Sequence, residues 1–429
     1  MHYCGLKEVD ITPELGLHIP GQLYIRVSDA VKDPLHAKAA ALGDDHQTFI
    51  VLALDLLCID HEDAEQIRQR IVDETGLAAE TILIAATHTH TGAPAVAAYG
   101  HTKDRHYTET MIRKAADAGI QAYHDRQPVV LSAAVSTIKD YSFNRRFLMK
   151  DGSYRTNPGL HNPLVDRPAG PVDPDLTILM VKKPDGTPLG AVVNFACHLD
   201  IAGGTALSAD YPGELSSCLK DAYGDSFVTV FLTGACGNIN HVNIDNEKTM
   251  QKDYYREIGR YLAERVLSAE YSEPFADHQV INMGCERLTL SPRRPESRQI
   301  EQAYRCAHDD AADGNDRFFA NELLYVADHP YADETAIVQV FQIGPLMLVG
   351  LPGEVFTEFG LDIKKQAHQP YCMIDTLSNG NYGYIATREA FPQGGYETKL
   401  STYTRLIPET GYQLVDSALK IINRFRIDP

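Results

Sequence analysis

The sequence predicts an α/β (mixed α+β) fold, with sheets flanked by helices and a site at strand ends between two lobes. Three observations carry this. Strand-like apolar runs alternate with helix-like amphipathic ones along most of the chain. The 429 residues exceed the roughly 250–300 at which a single hydrophobic core stops growing, and the pattern changes near residues 270–280, where a lobe boundary is expected. Four apolar runs end in polar, potentially ligating residues beside Gly or Pro, where loops build sites on a rigid scaffold.

In chain order, Thr48 to Leu57 (TFIVLALDLL) reads as a buried strand and His61 to Thr75 as an amphipathic helix. Residues 81–86 form the next strand, and His106 to Tyr123 the next helix, with Met111, Ile112, Ala115, Ala118 and Ile120 on its apolar positions. Val129 to Ser136 and Leu176 to Val181 are strands. Between them Lys139 to Asp173 is polar and rich in Arg, Asn, Pro and Gly, which predicts a long functional loop. Leu189 to Ala196 is a strand ending at His198. Pro212 opens a helix with Asp210 or Tyr211 near its cap. Ser226 to Leu232 runs into a Gly-rich turn, and Met250 to Ala269 is a periodic helix. Val280 to Leu290 (strand), Glu296 to Ala311 (helix) and Ala336 to Leu351 (two strands broken at Gly344-Pro345) complete the pattern. The sequence holds no internal repeat or low-complexity tract.

Composition narrows the function. The formal net charge of -19 argues against nucleic acid or an anionic membrane as a partner. With 44% hydrophobic and 23% charged residues the chain reads as an ordinary globular protein. No signal peptide and no membrane-spanning run is expected. The eight cysteines are scattered without a CxxC pair, which predicts free thiols and a cytoplasmic setting. The expected partner is a small-molecule substrate.

The stretch AATHTHTG, from Ala85 to Gly92, poses the chemical question. If the strand runs on to Thr91, His88 and His90 share a face. Two imidazoles at a strand end make half a zinc site, although both could equally satisfy hydrogen bonds. Further candidates are His198, which could be a satisfied core histidine, and Glu354 after Leu351-Pro352-Gly353, which could cap a helix.

THTHTG at 87–92, NFACH at 194–198 with SADYPG at 208–213, LPGE at 351–354 and NYGYIATREAFPQGGYE at 381–397 together resemble the catalytic domain of the neutral (non-lysosomal) ceramidases. VDITP at 9–13 and Gly21 fit as well, so the likeness spans nearly the whole chain, in order. The resemblance implies a single catalytic domain over residues 1–429, without the family's C-terminal immunoglobulin-like domain. It implies a Zn2+ ion held by His88, His198, Glu354 and, as a phenolate, Tyr396. It implies His90 and Tyr384 as catalytic partners facing the reacting carbonyl, Arg145 as a substrate contact and Asp210 in a supporting role.

One motif departs from the family. A serine near the metal is replaced here by Gly234-Ala235-Cys236-Gly237-Asn238-Ile239-Asn240. Cys236 is a candidate nucleophile or an inert buried thiol, and the turn could offer backbone N–H groups to an oxyanion. The expected reaction is therefore zinc-dependent hydrolysis, with attack of zinc-bound water on an amide (N-acyl) bond of a small soluble substrate. His90 and Tyr384 would donate to the oxyanion or leaving group, and Arg145 would orient a polar or anionic substrate part. An ester, lactone or glycosidic bond, an amidohydrolase barrel, or a non-catalytic binding protein on the same scaffold are the alternatives.

Overall fold

The structure is a computed structural model that describes residues 1–97, 100–276 and 280–427. Residues 277–279, inside the expected lobe boundary, lie outside the described residues.

Two sheets stack face to face and helices cover both outer faces. The larger sheet comprises β1 (His2–Asp10), β2 (His36–Gly43), β3 (Thr48–Leu54), β4 (Ile82–Ala86), β5 (Gln127–Thr137), β6 (Asp175–Lys182), β7 (Pro188–Phe195) and β8 (Val228–Thr233). Side by side they run β8-β7-β6-β5-β1-β2-β3-β4. The two edge pairs, β3/β4 and β7/β8, are parallel. A parallel pair needs a long crossover. Helices α1 (His61–Thr75) and α3 (Tyr211–Tyr223) supply them; α2 (Arg105–His124) lies between the two in sequence.

After α4 (Tyr254–Leu267) the chain builds the smaller sheet, β9 (Ile281–Leu290), β10 (Glu334–Ile343), β11 (Leu346–Gly350) and β12 (Tyr371–Asp375), in that spatial order. Helices α5 (Ser297–Ala307) and α6 (Gly314–Asp328) form a hairpin between β9 and β10. Helix α7 (Thr357–Ala367) joins the parallel pair β11/β12, and α8 (Thr410–Ile427) follows.

Strand alternation builds the layers. Phe49 and Val192 point into the space between the sheets, against Phe341, Leu348 and Met373. Their neighbours point outward: Ile50 and Leu52 meet Ile67 of α1 and Met111 of α2, and Val193 meets Leu215 of α3 and Ile258 of α4. Phe359 and Ile363 of α7 and Leu414 and Ile421 of α8 cover the far face of the smaller sheet.

Several expected elements change. The polar stretch 139–173 is not a structureless loop: Arg146–Met149, Tyr154–Thr156 and Val165–Pro168 form a three-stranded sheet, and Phe143–Asn144 pairs with Ile239–Asn240. The helix expected over 296–311 stops at Ala307 and turns back as α6. No helix among the described residues is long and apolar enough to cross a membrane. The eight cysteines are free.

Candidate metal centre and active site

The site gathers at the C-terminal ends of β4, β7 and β11. Strand β4 stops at Ala86, short of Thr91, and His88 adopts φ 75°. That left-handed conformation costs a non-glycine residue of order 1 kcal/mol or more and must be imposed by its surroundings. Backbone bonds from His88 N to Leu56 O (2.9 Å) and from His90 N to Leu199 O (2.9 Å) impose it. Strand alternation is therefore not what brings the two rings together: their Nε2 atoms lie 3.4 Å apart across an irregular turn.

His198 follows β7 by three residues. Glu354 follows β11, and Glu354–Val355 pairs in parallel with Tyr384–Ile385. Gly353 makes this turn at φ 77°, where a Cβ would stand 2.8 Å from Gly383 O. Glu354 is in register with Tyr384, so both side chains leave the ribbon on the same face.

His88 Nε2 lies 3.1 Å from His198 Nε2, and Glu354 Oε2 lies 3.3 Å from the first and 3.2 Å from the second. All three side chains are buried. The other ring nitrogens face backbone carbonyls: His88 Nδ1 to Leu57 O (2.7 Å), His198 Nδ1 to Cys236 O (3.0 Å) and His90 Nδ1 to Gly21 O (2.8 Å). A carbonyl only accepts, so each Nδ1 carries the proton and each Nε2 presents a lone pair inward. Glu354 Oε2 is itself buried without a hydrogen-bond partner. Converging lone pairs with a bare carboxylate oxygen call for a cation. His88, His90 and His198, whose ligating atoms all lie within 4.8 Å of one another, could hold a metal ion. The fixed Nδ1–H···O=C contacts are of the kind that orient metal-binding histidines.

The buried groups of the site are strongly coupled. Burial pushes the Glu354 carboxyl up, but His88 and His198 outweigh it and hold the group well below the usual range. Burial pushes His88 down, and Glu354 more than restores it. Burial, then the neighbouring His88, push His90 down to about 3.

These residues floor a cavity of about 1030 Å³. Arg145, Tyr384 and Tyr396 also line it, as do Asp200 and Tyr403, which sequence reasoning missed. Asp200 stands two residues beyond His198, and Tyr403 belongs to the same tyrosine-rich segment as Tyr384 and Tyr396, so spacing could have flagged both. Tyr403 donates to Glu354 Oε1 at 2.7 Å. The α5–α6 hairpin contributes Asp313, Asp316 and Phe319 to the rim. Leu23, which also lines the cavity, is followed by exposed Tyr24 and Ile25, an apolar surface the sequence did not announce.

Arg145 is buried and each of its three nitrogens has one partner: Nε with Glu397 Oε1 (3.2 Å), Nη2 with Gly237 O (2.6 Å) and Nη1 with His198 Nε2 (3.2 Å). These contacts hold the guanidinium at the cavity wall. Asp210 does not line the cavity. Its carboxylate accepts from the N–H groups of Ile201 (2.9 Å), Ala202 (2.8 Å) and Tyr211 (2.7 Å), so it shapes the loop that carries Asp200 and caps α3.

The turn that replaces the family serine is also committed. Gly237 N bonds Val355 O and Ile239 N bonds Cys236 O, both at 2.9 Å, so these N–H groups are not offered to an oxyanion. A Cβ on Gly237 would collide with the Glu354 carbonyl oxygen. Cys236 is buried outside the cavity lining, and burial raises its thiol far above the usual value, which leaves it inert.

No protein-family model and no curated protein sequence matches the chain. Among solved structures, the neutral ceramidase from Pseudomonas aeruginosa is similar with a TM-score of 0.76 at 18% identity, over 99% of this chain and 75% of that chain. A ceramidase complexed with C2 is similar with a TM-score of 0.78 at 16% identity, over 100% of this chain and 75% of that one. At such identities the likeness establishes the fold, which is that of neutral ceramidase.

Proposed function

We propose that the chain is a zinc-dependent hydrolase that cleaves an amide (N-acyl) bond of a small polar substrate, with water as the nucleophile. One observation carries this reading: the closed triangle of His88 Nε2, His198 Nε2 and Glu354 Oε2, with edges of 3.1, 3.3 and 3.2 Å. Ligand atoms arranged tetrahedrally at zinc bond lengths stand about 3.3 Å apart. Likeness in fold to neutral ceramidase supports the amide bond.

His88, His198 and Glu354 supply three ligands in this reading. For the phenolate, sequence resemblance favours Tyr396, but the register of Tyr384 with Glu354 favours Tyr384, which we take as the fourth. Tyr396, whose phenol is pushed up by burial against the pull of Arg145, keeps its proton and serves as the donor to the developing oxyanion. Bound zinc would acidify a water molecule and polarise the substrate carbonyl.

His90 has its Nδ1–H committed to Gly21 O, so Nε2 is an acceptor. It takes a proton from the attacking water and returns it to the leaving nitrogen, rather than donating from the outset as the sequence suggested. Arg145, clamped by Glu397 and Gly237, holds positive charge beside His198 and under the rings of Tyr384 and Tyr396.

The test is elemental analysis of protein purified without chelator or affinity tag, coupled to an amide and ester hydrolysis screen. Wild type should hold about one zinc per chain, Glu354→Ala and His88→Ala much less, and His90→Ala about as much as wild type with a rate lower by about 10²–10³. Loss of zinc from His90→Ala would transfer the ligand role to the three histidines. Absence of zinc from wild type after reconstitution would reduce the likeness to a shared scaffold.

A further inference from the structure

Among the cavity's carboxylates, Asp200 stands beside the histidines and has no part in the proposed chemistry. Asp200 follows His198 by two residues on the loop anchored by Asp210, and lines the cavity beside His90 and His198. Its Oδ1 stands 3.1 Å from His241 Nδ1, and His241 is itself buried, with only 8% of its side chain exposed. The Asp200 side chain keeps 26% exposure. The other carboxylates of the cavity lining have roles of their own. Glu354 faces the histidines. Asp316 pairs with Lys399 at 2.9 Å, and Asp313 accepts from Asn315 N at 2.8 Å. Of the cationic groups, Arg145 directs Nε at Glu397 and Nη2 at Gly237 O, with Nη1 beside His198, and Lys399 pairs with Asp316. Asp200 therefore sets an acceptor into the inner cavity, close to the histidines.

We propose that Asp200 is the specificity-determining residue of this cavity, receiving an ammonium or hydroxyl group that the substrate carries within a few bonds of the scissile carbonyl. The inference rests on the hydrolase reading above and adds its substrate class: amides bearing a cationic or hydroxylated arm, in preference to acidic or purely apolar ones. The close approach of His241 restricts the carboxylate on its Oδ1 side, which lowers the ordering cost of each contact the substrate makes. Contacts of a carboxylate with an ammonium are the stronger, charge-assisted kind, and those with a hydroxyl the weaker.

The test uses matched amides that differ in one terminal group. N-Acetylethylenediamine, N-acetylethanolamine and N-propylacetamide end in ammonium, hydroxyl and methyl on the amine side. The N-methylamides of β-alanine, 3-hydroxypropanoic acid and butanoic acid place the same groups on the acyl side. Binding to the zinc-loaded protein is measured by calorimetry and hydrolysis by product release, for wild type, Asp200→Asn and Asp200→Ser. In at least one series wild type should prefer ammonium or hydroxyl over methyl by about tenfold or more, a preference worth about 1.4 kcal/mol per factor of ten. Both variants should collapse the ratio to within about threefold. The ratio is the readout, because a general defect in folding lowers all members of a series together. An unchanged ratio in the variants, a wild-type preference for methyl, or no measurable binding of any probe would overturn the proposal. Selective binding that Asp200 controls, without hydrolysis of any probe, would uphold the role of Asp200 and overturn the amidase reading alone.

Discussion

Tyr403 donates a 2.7 Å hydrogen bond to Glu354 Oε1, and this leaves Glu354 Oε2 as the oxygen turned towards His88 and His198. Both partners are buried, so the bond fixes which carboxylate oxygen meets the metal site and at what angle. Partners of metal-ligating groups commonly set affinity nearly as strongly as the ligands do. Tyr403→Phe removes one oxygen and keeps the ring. It should lower zinc affinity by about 10–100-fold, measured by competition with a chelator. Wild-type affinity in that variant would mean that the turn at Gly353 alone aims the carboxylate.

Tyr384 and Tyr396, both in the cavity lining, carry separate roles in the proposed mechanism, and phenylalanine variants separate them. Tyr384→Phe should lose metal affinity, because its register with Glu354 sets it beside a ligand. Tyr396→Phe should keep zinc and lose about 10²–10³ in rate, the usual effect of removing one oxyanion donor. The reverse pattern, zinc lost from Tyr396→Phe and retained in Tyr384→Phe, would restore the assignment drawn from the sequence resemblance.

The alternating strands and helices were legible because burial on one or both faces leaves a periodic signal. Strand β3, helix α1 and strand β7 lie within a few residues of their expected bounds. Strand β2 was not legible, since HAKAAALG lacks the β-branched residues that mark strands and packs through small alanines. The small sheet inside 143–168 was hidden by polar residues that bond specific partners, such as Arg146 with Glu397. In the site, His88, His198 and Glu354 were visible as residue types at strand ends. Their convergence was not, because it depends on a left-handed histidine and on loops that are distant in sequence. Asp200 and Tyr403 have meaning only through neighbours 41 and 49 positions away.

Gly237 explains why no serine stands at that point of the turn. Its missing side chain lets the turn lie directly against the Glu354 backbone, where a Cβ would meet the carbonyl oxygen. Gly237→Ser should therefore destabilise the fold by about 1–3 kcal/mol, as overpacking does, and displace Glu354 from the proposed zinc site. Urea denaturation and zinc content should fall together. A stable, zinc-loaded Gly237→Ser protein would show that the turn can yield and that the family's serine could be accommodated.

Asp210 gives a stability signature that depends on pH. Burial raises its carboxyl to about 6, against the lowering effect of three backbone N–H groups. The ordinary value is 3.8. Between these two values the folded protein keeps the Asp210 proton while the unfolded chain loses it. The contribution of this group to stability is thus full below about pH 4 and declines as pH rises to about 6, by roughly 3 kcal/mol in all. Asparagine does not titrate and gives up one acceptor contact. Asp210→Asn should therefore be less stable than wild type at pH 4, with the difference shrinking or reversing at pH 7. Urea denaturation of both proteins at the two pH values measures this. A difference that is constant across the range would mean that the folded protein holds Asp210 as a carboxylate throughout, with the N–H groups of Ile201, Ala202 and Tyr211 compensating its burial in full.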